Sequence, residues 1–391
     1  MDFSFTPEEE RFRAELRAFL AGQLPEGWAD REFLGDVRPE ERAEMARFMN
    51  KALADKNWLA MSWPKEYGGL DTPQITQAIF TDETSYTRMP GGGGTGVSWV
   101  GPALMQFGNE AQRRLYLPRI AQGEDTWSAL YTEPGSGSDL ASIQTRAVRD
   151  GDEYVINGVK IFAAGAQDAS MGWLAARTDP HAPKHRGISN LIVPMDAPGI
   201  SIRPMESMDG GRNLNEVFFE NVRVSTENLV GQENRGWYQV MTTLDLERSG
   251  VSAYSHAKRN IERLVTAAKD ESSLIKNNPS ARYELADRWI ELQVGYNVAY
   301  RVPQLQEQGL IPNHEASVSK LYGSELTQRV ATTGMHLLGP ASQLAPGSPY
   351  ARLGGAFSQA YLEAVSATIA AGTSEVQRNI IAQRGLGLPR G

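Results

Sequence analysis

The chain has 391 residues, 41% apolar and 22% charged, the balance of an ordinary folded protein rather than a disordered or collagen-like one. Lys and Arg number 39 against 47 Asp and Glu, a net charge of -8, which argues against a broad nucleic-acid or anionic-membrane surface. There is no cysteine, so disulfides, iron–sulfur clusters, thiolate zinc sites and cysteine nucleophiles are excluded. No uninterrupted apolar run approaches ~18 residues, so no membrane span is expected. The N-terminus has neither a basic n-region nor an apolar h-region, so it does not read as a secretory signal and the expected compartment is the cytoplasm.

The chain opens on a helix start. Thr6 can cap, Pro7 suits the first helical position, Glu9 completes a capping box, and Phe12, Leu16, Phe19 and Leu20 recur at helical spacing. Helical patterns continue to about Gly123, broken at Trp63–Gly69 and at Pro90–Gly94. Near residue 127 the pattern changes. Thr145–Arg149 and Glu153–Asn157 flank Asp150-Gly151-Asp152, a hairpin signal, and Val159–Phe162 continues in extended style. Further strand-like runs are Ile188–Pro194, Ile200–Arg203 and Glu216–Val224, which together read as a small β sandwich or barrel. From Asn234 the helical period returns, with proline-free segments at about Gly236–Asp270, Ser280–Val302 and His314–Leu338. A short helix follows Ser374, whose spacing to Gln377 reads as a capping box. The predicted organisation is α+β: a helical domain over 1–125, a β domain over 126–234 and a helical bundle over 235–391, not a doubly wound parallel sheet.

Several motifs carry little. Gly91, Gly93 and Gly96 fit G-x-G-x-x-G by letter but lack a preceding strand and a βαβ unit, so they read as a turn. His181 and His185 sit in a Pro-rich loop without helical geometry or a third ligand, and no metal is expected there. Two places say more. In Tyr131–Asp139, small residues follow a proline, exposing backbone N–H groups to a planar ligand, with hydroxyls on Thr132, Ser136 and Ser138; a polar loop capping the sheet is the alternative. On the segment after Gly236, Glu247 falls in the apolar stripe of Trp237, Val240, Leu244 and Val251. A carboxylate there must be paired, protonated or working: a general base of raised pKa, or one half of an ion pair.

These stretches, with Trp63-Pro64-Lys65-Glu66-Tyr67-Gly68-Gly69, Asn215–Phe219, Leu244-Asp245-Leu246-Glu247-Arg248 and Gly372-Thr373-Ser374-Glu375-Val376-Gln377-Arg378, resemble the acyl-CoA dehydrogenase family. Its members are FAD-dependent enzymes that desaturate acyl-CoA thioesters between Cα and Cβ, and their helix–strand–helix fold matches the predicted order. The resemblance implies flavin contacts from Leu130, Tyr131, Thr132, Gly137, Ser138, Phe162, Ala164, Thr373 and Glu375. It implies thioester and CoA contacts from Ser138, Asp245, Arg248 and Ala371. Phe162 and Ala164 stand where the family usually has Trp-x-Thr, so the ring is kept and a hydroxyl is lost. Most members carry the catalytic glutamate at the position of Ala371; a minority carry it in a Leu-Asp-x-Glu-Arg context, which points to Glu247 as the base that removes the α proton while the β hydride goes to the flavin. The backbone N–H of Ala371 would still donate to the thioester carbonyl.

The resemblance also bears on assembly. The Arg-x-x-Phe-Gly stretch that homotetrameric members lend to a neighbour's FAD is replaced here by Glu271, Leu274 and Ile275. The Gln-x-x-Gly-Gly stretch reads His336-Leu337-Leu338-Gly339-Pro340. A carboxylate in place of an arginine repels a diphosphate. This pattern, with the C-terminal Ile380–Arg390, is similar to the catalytic subunits of actinobacterial steroid side-chain enzymes, which pair two different acyl-CoA dehydrogenase-like subunits as α2β2. The implied partners are a bulky acyl-CoA, a second such subunit and an electron-transfer flavoprotein. A homotetramer for branched or medium-chain thioesters and a non-catalytic scaffold subunit remain as alternatives; Glu247 and the intact Thr132–Ser138 loop speak against the scaffold.

Overall fold

The computed structural model describes residues 4–33, 35–246, 250–270 and 275–389. Helices come first: α1 (Pro7–Gln23), α2 (Trp28–Phe33), α3 (Pro39–Asp55), α4 (Gln74–Tyr86), α5 (Gly101–Phe107) and α6 (Glu110–Ala121). Strands follow: β1 (Trp127–Leu130), β2 (Arg146–Asp150), β3 (Glu153–Ala164), β4 (Met171–Arg177), β5 (Ile188–Pro194), β6 (Ile200–Met205), β7 (Leu214–Ser225) and β8 (Leu229–Val230). The chain closes with α7 (Gly236–Leu246), α8 (Val251–Lys269), α9 (Ala281–Glu307), α10 (His314–Leu338), α11 (Ala356–Ala367) and α12 (Ser374–Ile380). Two compact units form, one from Met1–Met49, Thr72–Pro90 and Arg248–Gly391, the other from Asn50–Asp71 and Gly91–Glu247.

In the first unit, α8 buries Val251, Tyr254, Ala257, Ile261 and Leu264 at helical spacing. The first four meet Ala78 of α4, Leu292 and Ala299 of α9, and Leu326 and Val330 of α10, while Leu264 packs with Leu337, Leu338 and Phe357. Gly295 and Gly323 leave room for the Tyr254 ring; a Cβ at Gly295 would lie 2.1 Å from it. The Tyr254 hydroxyl donates to the Ser319 carbonyl at 2.8 Å, so the polar tip of a fully buried ring is satisfied. The predicted capping box starts α1: the Glu9 N–H donates to Thr6 Oγ1, and the Thr6 N–H donates to Glu9 Oε2. Leu16 and Leu20 are the buried face, and Arg17 forks onto Glu83 of α4 with two 2.7 Å bonds.

The second unit is a mixed sheet in the order β6-β7-β3-β2-β4-β5-β8, with β1 paired to β4. The β2–β3 hairpin forms as the Asp-Gly signal predicts, but Asp150 pairs with Glu153, so Gly151-Asp152 alone make the turn. The sequence reading omits β1, β8 and the longer β4, which runs parallel to β1 and β2 and antiparallel to β5. Its alternate residues enter two cores: Trp173 and Ala175 one, Leu174 and Ala176 the other. A strand covered on both faces has no polar alternation to betray it.

Two corrections concern helices. The run expected from Gly236 to Asp270 is not one helix, because Gly250, at φ 71, stands outside α8 as its N-cap. Val251, which the expected stripe shares with Trp237 and Glu247, therefore belongs to α8 and not to the helix of Trp237. At the other end, α12 is capped by Thr373, whose hydroxyl accepts the Val376 N–H at 3.2 Å. Ser374 lies one residue inside, buried, with no hydrogen-bond partner for its hydroxyl among the described residues.

Candidate active site

The loop after β1 is built on a buried charge pair. Lys160 of β3 is fully buried, and its ammonium donates to Glu133 Oε1 at 2.8 Å and to the Tyr131 carbonyl at 3.0 Å. The Glu133 carboxylate also accepts the N–H groups of Gln144 at 2.5 Å and Thr145 at 2.9 Å. Burial alone would raise the Glu133 carboxyl, but the Lys160 ammonium and these donors hold it below its usual value. Burial pushes the Lys160 ammonium down to about 8, against the opposing pull of Glu133.

Above this base the predicted flavin residues separate by role. The Leu130 side chain lies in the core, so only its main chain can serve a ligand. Tyr131 is buried too: its hydroxyl accepts from Trp173 Nε1 at 2.8 Å and its ring stacks on Trp99 at 5.8 Å. Thr132 is half-buried, and its carbonyl accepts the Ile161 N–H at 2.8 Å. Ser136 does not offer the hydroxyl expected of it; it is buried and donates to the Asp139 carbonyl at 3.1 Å. The exposed tip is Gly135, Gly137 and Ser138. At Gly135 a side chain would meet nothing, and at Gly137 only Thr132 at 3.9 Å. Asp139, also exposed, is tied back by Lys184, whose bond lowers its carboxyl.

Phe162 is the second feature on this unit. Between Lys160 and Ala163, β3 spends one more residue than β7 does between Val217 and Asn215. That bulge puts Phe162 at φ 57 with its ring 54% exposed. A bulky residue in the left-handed region beside an open aromatic face is costly on both counts, the signature of a site rather than of packing. Ala164, two residues on, is exposed, and its carbonyl accepts from Ser128. An exposed aromatic ring and a hydroxyl-bearing glycine loop suit a planar ring system such as a flavin.

The turn before α12 is the other unit's candidate. Ala371 sits at φ 53 and Gly372 at φ 90. Lys320 of α10 donates to the Gly372 carbonyl at 2.6 Å and the Ala367 carbonyl at 3.1 Å, and Gln377 donates to the Ala371 carbonyl at 3.2 Å. Peptide planarity then turns the Gly372 and Thr373 N–H groups to the opposite side. Ala371 is exposed and offers only a methyl, which cannot take up a proton. Thr373 and Glu375 line a cleft of about 730 Å³ with Arg329, His336, Ser374 and Arg378. A bond from its own N–H lowers the Glu375 carboxyl. In this cleft the ion pairs run Arg288–Glu291–Arg329–Glu325–Arg378, and His336 meets Glu284 at 3.0 Å.

Of the remaining predicted positions, Asp245 lies in the last turn of α7, its side chain outside the described residues. Glu247 and Arg248 fall outside them altogether, as do Glu271 and Leu274. Ile275 is a core residue packed with Leu264 and Phe357. His185 packs edge-on against Trp237 at 4.8 Å. No helix among the described residues is long and apolar enough to cross a membrane. The sequence reading missed Lys160, Glu133, Lys320 and Gln377. For Lys160 a signal exists: it shares the inward parity of Tyr154 and Ile156 on β3.

Three family models cover nearly all of the chain: the acyl-CoA dehydrogenase N-terminal domain at 6–124, the middle domain at 128–222 and the C-terminal domain at 234–386. The chain is 37% identical to acyl-CoA dehydrogenase FadE26 of Mycobacterium tuberculosis, covering 100% of this chain and 99% of that one. Among solved structures it matches the Tcur3481-Tcur3483 steroid ACAD with a TM-score of 0.90 at 37% identity, covering 100% of both chains. The ChsE4-ChsE5 complex of Mycobacterium tuberculosis matches with a TM-score of 0.86 at 35% identity, again covering 100% of both. The chain belongs to the FAD-dependent acyl-CoA dehydrogenase family.

Proposed function

We propose that this chain is the glutamate-bearing subunit of a heteromeric acyl-CoA dehydrogenase that desaturates a bulky, steroid-side-chain-derived acyl-CoA. The full-length likeness to a steroid enzyme and to a two-component complex supports the substrate class and the second subunit. The observation that carries the catalytic assignment is Ala371: its turn holds a methyl, so the base comes from elsewhere, and Leu244-Asp245-Leu246-Glu247-Arg248 supplies a carboxylate in the alternative context.

When bound, FAD supplies the acceptor for the β hydride. Glu247 removes the α proton, which is weakly acidic, so charge developing on the thioester oxygen needs donors fixed in advance. The Ala371 N–H is such a donor, on a turn that Lys320 and Gln377 hold by its carbonyls. Asp245 and Arg248 hold the CoA portion. Thr132 and Ser138 would offer hydroxyls to the flavin and thioester, and the exposed Phe162 ring would hold the flavin by stacking. An electron-transfer flavoprotein takes the electrons onward.

Co-expression with an adjacent acyl-CoA dehydrogenase-like gene tests the proposal, followed by flavin stoichiometry and a thioester panel running from medium-chain to steroid side chain. The proposal expects a flavin-poor chain alone, a yellow complex with its partner, and turnover of the bulky thioesters. A fully flavinated homotetramer active on medium-chain thioesters contradicts both the partner and the substrate class.

A further inference from the structure

We propose that Lys160, through Glu133, is a positioning residue for the flavin-binding loop, an inference that rests on reading Thr132–Ser138 as that loop. A buried lysine–glutamate pair is a poor device for stability alone, because the cost of desolvating two charges about cancels their attraction, and an apolar pair of similar volume does as well or better. What the pair does here is fix a register. The ammonium holds the Tyr131 carbonyl and Glu133; the carboxylate holds the N–H groups of Gln144 and Thr145. Both ends of the 131–145 segment are thereby closed onto one buried point.

The main chain between them is taken up as well. The Thr132 carbonyl accepts the Ile161 N–H, and Glu133 and Ser136 exchange two 3.0 Å bonds. Gly158 lets β3 run tight against Thr145, since a Cβ there would lie 2.5 Å from its hydroxyl. The parts of the loop left to face a ligand are the Thr132 side chain, Gly135, Gly137 and Ser138. Their placement depends on the pair beneath, and a shift of about 1 Å in a positioned group costs up to ~100-fold in function.

The test separates placement from stability. The double variant Lys160→Met/Glu133→Leu replaces the pair by apolar side chains in the full-length chain, alone and co-expressed with its partner subunit. FAD titration by flavin fluorescence, the visible flavin spectrum and the melting temperature are read together. The proposal expects FAD bound about tenfold more weakly or worse and an altered flavin spectrum, both read well below a melting temperature that the orphaned Gln144 and Thr145 N–H groups lower. Wild-type affinity with a wild-type spectrum overturns it. If the double variant does not fold, Glu133→Gln keeps the shape and removes the charge. That variant is expected to show weakened FAD binding with an unchanged circular dichroism spectrum, and unchanged binding overturns the proposal. A wild type that takes up no FAD, alone or co-expressed, refutes the flavin-loop reading and the proposal with it.

Discussion

Removing only the cation from the buried pair gives the sharpest energetic prediction. Lys160→Met leaves the Glu133 carboxylate, 6% exposed, with two backbone N–H donors and no cation bonded to it, Arg177 acting on it only through space. Breaking one side of a buried pair costs about 3–5 kcal/mol at neutral pH. In the wild type the Glu133 carboxyl is held below its usual value despite its burial. Its stabilisation is therefore complete above the unfolded carboxyl's pKa of about 4.3 and is lost as pH falls through the folded value. In the variant the Lys160 attraction is gone and burial raises the carboxyl. The folded variant then takes up a proton more readily than the unfolded chain, and it gains stability as pH falls towards about 4.3. The gap between the two proteins is wide at neutral pH and narrows in acid. Urea denaturation at both pH values reads it, followed by tryptophan fluorescence, because Trp173 donates to the hydroxyl of Tyr131, whose carbonyl Lys160 holds. A loss below about 1 kcal/mol, the scale of an exposed pair, or a gap that does not change with pH, would refute the reasoning.

Further predictions follow from single positions. Thr373→Ala removes the α12 cap and should cost about 1 kcal/mol, whereas Ser374→Ala, which deletes an unpartnered hydroxyl, should stay within about 0.5 kcal/mol; the reverse ranking would return the cap to Ser374. Ala371→Gly relieves a left-handed alanine and should stabilise the chain by about 0.5–1 kcal/mol in thermal unfolding, with no gain if the turn is not left-handed. Gly137→Ala meets no crowding and should leave the melting temperature unchanged while weakening FAD binding, and equal affinity would remove Gly137 from the flavin contacts.

How much of this was legible in the sequence depends on whether the signal was local. The α1 capping box, the Gly151 hairpin and the apolar runs of β5 and β7 are written within a few residues, and each forms where expected. β4 and α11 were not read, because a strand buried on both faces and a helix rich in alanine and serine carry weak periodicity. Gly250 looked like a helix interior and is a helix start, so Val251 drops out of the stripe drawn for Glu247, which itself lies outside the described residues. The loop at 131–139 was recognisable from its own residues. Its anchor was not, since Lys160 lies 27 residues from Glu133 and only the β3 register brings them together. The inward turn of Ser136 and the burial of Leu130 likewise follow from tertiary packing that no local pattern encodes.

The base assignment is tested most directly by mixing the flavin-loaded complex, without oxygen, with the thioester that the wild type turns over best, and following the flavin absorbance. Wild type should bleach rapidly, and Glu247→Gln, with the same flavin content, should bleach at least ~100-fold more slowly. Bleaching of Glu247→Gln at the wild-type rate would contradict the assignment and place the proton abstraction on another residue or another subunit.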